Sequence, residues 1–145
     1  MNFTEFCKIT EDMKLKHPIW FEFVSRNLPT EDDIISVEKR FNITLNDDYK
    51  SFVKRYGGGS FAFVKILTCC SDDNEYILNF NTGEFVQKYF FVSVADLETG
   101  DMVGFKINNG VCSEEMYIFN HDDGTIQNMN VGNFFEFILK YGYNM

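Results

Sequence analysis

Up to Tyr56 the apolar side chains of this chain recur at helical spacing, and beyond it at strand spacing. Phe6, Ile9 and Met13 share one face of a helix predicted over residues 2–15, which Asn2 caps while Glu5 takes the third position. Pro18, whose fixed φ suits a first helical residue, predicts a second helix carrying Ile19, Trp20, Phe23 and Val24 and stopping near Asn27. Thr30 with Asp33 reads as a capping box, and Ile34, Val37 and Phe41 line the face of the helix it opens. After a short connection, Asn46 caps a further helix in which Tyr49, Phe52, Val53 and Tyr56 recur at i, i+3, i+4 and i+7. Gly57, Gly58 and Gly59 end it.

From Ser60 the pattern shortens. Residues 60–68, 75–80, 88–94, 101–107 and 115–121 are β-branched or aromatic runs separated by turn-forming residues, and they predict the strands of one sheet. Residues 125–129 read as the second arm of a hairpin, because Asp123-Gly124 is a strong tight-turn signal. Asn130 or Gly132 opens a closing helix with Phe134, Ile138 and Tyr141 on one face, ended by Gly142. Helices first, then consecutive strands, then a helix predict a segregated α+β domain with a mainly antiparallel sheet of about five to six strands. The 145 residues suit a single domain.

Composition changes this picture in three ways. No apolar run approaches the roughly 18 residues that span a bilayer, and the start of the chain mixes acids among its apolar positions, so a cytoplasmic protein is expected. In a reducing compartment Cys7, Cys69, Cys70 and Cys112 are expected to be thiols. Asp and Glu outnumber Lys and Arg by 22 to 13, a formal net charge of −9. That balance argues against nucleic acid and anionic membranes as direct partners, since both are recognised by Lys and Arg. It favours a basic protein partner, and it also serves solubility.

Chemistry is sparse along the chain. There is no nucleophile elbow, no zinc-protease motif and no phosphate loop, and Gly57–Gly59 follow a helix instead of opening one. Cys69 and Cys70 are adjacent, without the spacing of paired zinc ligands, so neither a metal nor another cofactor is expected. His121 beside Asp122 and Asp123 is the best placed group for proton transfer or cation binding, although Asp123-Gly124 is also what a hairpin needs. Asp72, Asp73 and Glu75 lack the spacing of a calcium loop. Among the 17 Phe, 7 Tyr and 1 Trp, the polar tips of Trp20, Tyr76, Tyr89 and Tyr117 suit the rim of an interface, while most other rings belong to the core.

The acidic capped helix with Ile34 and Glu38, followed by Leu45, Asp48, Tyr49, Phe52, Tyr56, Gly58 and Gly59, resembles the signature of the SUKH superfamily, named for its Smi and Knr founders. Asn46 stands where that pattern usually has Pro, and Gly57 where it commonly has Asn; neither substitution threatens the fold. The resemblance continues, more loosely, through residues 100–107, 115–123 and 133–142, and implies a SUKH-like domain without enzymatic activity. Its bacterial members imply an immunity protein, an antitoxin that binds a cognate protein toxin, expected to be a basic nuclease domain, by stoichiometric occlusion. Loops bearing Asp72, Asp73, Glu75, Tyr76, Asp122 and Asp123 would then form the partner-binding face. Its fungal members imply instead a regulatory scaffold that docks signalling or cell-wall-assembly proteins.

Overall fold

The computed structural model describes every residue except Glu98, so the expected turn at residues 97–100 lies partly outside the described residues. Helix α1 (Phe3–Lys16) opens with a full capping box between Asn2 and Glu5, and α2 (Glu31–Phe41) with one between Thr30 and Asp33. Helix α3 (Asp47–Tyr56) is capped by the Asn46 side chain, which accepts from the Tyr49 N–H. Its apolar face, Tyr49, Phe52, Val53 and Tyr56, is buried as the spacing predicts. Around Phe52 gather the rings of Phe6, Phe61 and Phe134, mostly edge-on, with centroids 4.9–6.0 Å apart.

Among the described residues the sheet holds seven antiparallel strands: β1 (Gly59–Phe61), β2 (Val64–Ile66), β3 (Phe91–Asp96), β4 (Met102–Asn108), β5 (Val111–Cys112), β6 (Tyr117–Phe119) and β7 (Ile126–Asn128). They are ordered β1-β2-β3-β4-β6-β7, with β5 paired to β4 beyond the start of β6. The predicted α+β architecture holds, and the hairpin of residues 115–129 is present with Phe119 opposite Ile126. The closing helix also forms, as α5 (Phe134–Phe137) continuing into a π-helical turn (Ile138–Gly142), but Asn133 caps it, not Asn130 or Gly132.

Four local expectations are corrected. The second helix is only a 3₁₀ turn (Pro18–Phe21); beyond it Val24 bridges Gly59, so the chain there lies along the β1 edge. Residues 60–68 are not one strand: Ala62, in the left-handed region at φ 53°, reverses the chain and separates β1 from β2. Residues 75–80 hold a 3₁₀ turn (Ile77–Asn79), because Thr68 and Asn81 both bond the Ile77 backbone and curl it. Residues 88–94 begin inside a helix, α4 (Gly83–Tyr89), which Thr82 caps by accepting from the Phe85 N–H; only from Phe91 is the chain extended. Strand β5 has two residues, too few for alternation to reveal.

Gly57, Gly58 and Gly59 all have positive φ, at 78°, 127° and 80°, and a Cβ on each would press on the backbone of residues 23–27 or 66. Glycine is required there by both conformation and space. Gly104 is required by space alone, since a Cβ would overlap the Val92 carbonyl across the β3–β4 pairing. We expect Gly104→Ala to lower the unfolding free energy in urea by about 3 kcal/mol. Gly83→Ala, at a helical position with open space around it, should change it by less than about 1 kcal/mol.

Candidate functional site

The loop between β2 and the Ile77–Asn79 turn carries four of the six predicted contact residues. Its ends are tied: Thr68 donates to the Glu75 carbonyl, Ile77 donates to the Thr68 carbonyl, and Asp73 donates to the Cys70 carbonyl, at 2.8, 2.8 and 3.0 Å. The Asp73 carboxylate accepts from the Ser25 hydroxyl and the Asn27 amide, both at 2.8 Å, so it fastens the loop to the chain ahead of α2. Asp72 is left exposed, and Glu75 and Tyr76 are half-buried. This loop is held by backbone bonds and presents its remaining acid outward.

A residue missed by sequence reasoning joins it. Asp33, in the first turn of α2, stands close enough to act electrostatically on Cys70 and Tyr76, as Asp72 and Asp73 do on Cys70. Burial, followed by these carboxylates, pushes the Cys70 thiol up to about 11. Burial also raises Cys69 and Cys112 to about 12, so three of the four free cysteines stay protonated at neutral pH and are poor nucleophiles. The signal for Asp33 was its role as capping residue, which hid its second position beside a loop 40 residues away.

Asp122 and Asp123 are elsewhere. The β6–β7 turn that carries them adjoins the chain leading into β4, because Met102 pairs with Phe119, whereas the 70s loop leaves the other end of the strands, past the Leu67–Val94 bond. The two acidic segments therefore do not form one face. Asp123 is a turn residue: its carboxylate accepts from the Thr125 N–H and hydroxyl, bonds that hold it below the usual carboxylate range. His121 is clasped between Asp101, at 3.0 Å from Nδ1, and Asp122, at 3.2 Å from Nε2. Asp101, 20 residues away in sequence, carried no local signal and becomes visible only through strand pairing. Among the described residues, no group of three or more His, Cys, Asp and Glu side chains is placed to hold a metal ion.

The four rim aromatics are dispersed. Trp20 stacks on His17 at 3.9 Å and packs on Phe63, Tyr89 packs on Phe119, and Tyr117 lies under the Lys106 ammonium at 4.8 Å while donating to Glu115. Of the four, Tyr76 alone belongs to the acidic loop. Ile19 and Phe23, expected on the second helix, and Phe63, expected on the first strand, are exposed, because the short 3₁₀ turn and the reversal at Ala62 leave them outside.

The hydrogen bond from His121 to Asp101, then the charge of Asp122, raises the imidazole above its ordinary value near 6.5. Protonated His121 thus stabilises the folded turn below that value, and the contribution disappears as pH rises through the raised one. Proton NMR titration should place the imidazole above 6.5 in the wild type and lower in Asp101→Asn.

The family model SUKH_6, described as SMI1-KNR4 cell-wall, matches residues 31–138, from the first turn of α2 to the closing helix. No curated protein matches the chain. No helix among the described residues is long and apolar enough to cross a membrane.

Proposed function

The chain belongs to the SMI1-KNR4 (SUKH_6) family, and from that premise we propose that it is an immunity protein, acting by binding and not by catalysis. It occludes a cognate protein toxin, a basic nuclease domain, one to one. The observation that supports this reading best is the tied acidic loop, in which Asp73 is fastened to Ser25 and Asn27 while Asp72 stays exposed, in a chain of net charge −9. A nuclease active site is built to hold a polyanion, so a rigid carboxylate surface attracts it over distance and competes with the substrate on contact. Preorganisation matters here because a loop already held by its backbone loses little freedom on binding. An interface of ordinary size, roughly 1,600 Å² in total, would extend beyond the loop to α2.

A second reading has one observation in its favour: the matched family model carries a cell-wall description, which favours a scaffold that docks cell-wall-assembly proteins. The two readings differ in what the partner does.

Tagged protein should retain from its native cells one basic partner at near one-to-one stoichiometry. Expression of that partner alone should arrest growth, and co-expression of this chain should restore it. Several partners without toxicity would support the scaffold instead. With the partner in hand, Asp72→Lys with Glu75→Lys should slow association by about tenfold at low salt, a difference that shrinks as salt is added. Asp73 is left intact in that test because it holds the loop closed.

A further inference from the structure

Phe90 ends α4 in the left-handed region, at φ 48° and ψ 48°, where glycine or asparagine is the ordinary choice. Its backbone is in use, the carbonyl accepting from the Ile107 N–H at 2.7 Å. Its ring is not: 65% of the residue is exposed, and it stacks on no described aromatic. Glycine would serve the backbone equally well, so the phenyl group contributes to something other than the fold.

The ring overhangs a surface trough. Three open hollows, of about 580, 300 and 570 Å³, run side by side across the Asn109-Gly110 turn that joins β4 to β5. Asn109 lines all three; Ile43 joins the first to the second, and Phe90 and Ile107 the second to the third. Ile35 and Val111, 40% and 52% exposed, add apolar wall at the α2 end. A row of shallow hollows, unlike one enclosed cavity, suits an extended chain whose alternate side chains drop into successive depressions.

The charge of the trough is opposite to that of the protein. Lys39 lines one end and Lys106 the other, and neither makes an ion pair with a described residue. The one acid in the lining, Glu38, is already committed: its Oε2 accepts from the Leu45 N–H at 2.8 Å and from Lys50 at 3.3 Å. The acids beyond the far end, Asp122 and Asp123, do not line it: Asp122 faces His121, and Asp123, kept ionised by the hydrogen bonds it accepts from Thr125, stays in its own turn. We propose that this trough is a docking groove for an extended acidic peptide segment with apolar anchors, held by Phe90 and its apolar neighbours and oriented by Lys39 and Lys106. The proposal does not depend on the immunity reading, since none of Asp72, Asp73, Glu75 and Tyr76 lines the trough.

The test uses two fluorescein-labelled, end-blocked decapeptides, one alternating glutamate with leucine and one alternating lysine with leucine, titrated by anisotropy. The glutamate peptide should bind at least about tenfold more tightly than its lysine counterpart. Phe90→Gly should raise the melting temperature, by relieving the left-handed strain, yet weaken the glutamate peptide about tenfold, which separates the ring's role from folding. Lys39→Glu with Lys106→Glu should weaken it by at least as much and flatten its salt dependence. Equal binding of both peptides, binding of neither, or unchanged affinity in Phe90→Gly overturns the proposal. So does a wild-type dimer in sedimentation that Phe90→Gly dissolves, which would assign the trough to a second copy of the chain.

Discussion

The Tyr49 hydroxyl, fully buried, donates to the Leu67 carbonyl at 2.6 Å and lies 3.7 Å from the Cys69 sulfur. This contact ties the first turn of α3 to the chain leaving β2, the point from which the acidic loop departs. Burial raises the phenol well above its ordinary pKa, so it remains a donor throughout the range in which the protein works. The same helix face continues through Phe52 and Tyr56 into the rings of Phe6, Phe61 and Phe134. Helix α1, the β1 hairpin and the closing helix are therefore all referred to one stripe of four side chains. An unsatisfied hydroxyl at Tyr49 would cost about 1–3 kcal/mol at the place where the loop geometry is set.

The parts of the fold legible in the sequence are those whose signals are local and redundant. Helices α1, α2 and α3 each combine a capping side chain, a 3.6-residue apolar stripe and a terminal signal, and each appears within a residue or two of expectation. The errors cluster where an element is a single turn or where one residue adopts an unusual conformation. Gly83–Tyr89 has seven residues, and its apolar positions run directly into those of β3, so Thr82 looked like part of a turn when it was a cap. Ala62 and Phe90 occupy left-handed conformations that neither residue type announces. At both, the surrounding hydrogen bonds decide: Ala62 donates to the Trp20 carbonyl, and Phe90 accepts from Ile107.

The candidate site was less legible because charge is readable along a chain but proximity is not. Asp72, Asp73 and Glu75 announced an acidic loop, and Asp122 and Asp123 an acidic turn, yet whether they share a face depends on strand order. The antiparallel register sends them to opposite ends of the strands, and each then recruits a carboxylate from a distant segment, Asp33 in one case and Asp101 in the other. The separation divides the charge of the molecule into two smaller features of different purpose. One turn is stitched by His121 and Thr125, and the other loop leaves Asp72 unpaired by any described cation.

Helix α2 links both surfaces to a single folding constraint. Its first turn holds Glu31, Asp32 and Asp33, and its last turn Lys39 and Arg40, the distribution that complements the helix dipole for about 0.3–1 kcal/mol per charge. Helix α3 repeats it with Asp47 and Asp48 at the start and Lys54 and Arg55 at the end, and Lys54 pairs with Glu31 across the two. A stability rule thus sorts charge along a rod of about 16 Å. Because Asp33 at the α2 N-terminus acts electrostatically on the acidic loop and the C-terminal turns of the helix wall the trough, the sorting gives one surface carboxylates and the other lysines. The polarity that would steer a basic partner to one place and an acidic segment to the other therefore follows from how the helix is stabilised, and reversing it at either end would weaken the helix as well as the contact.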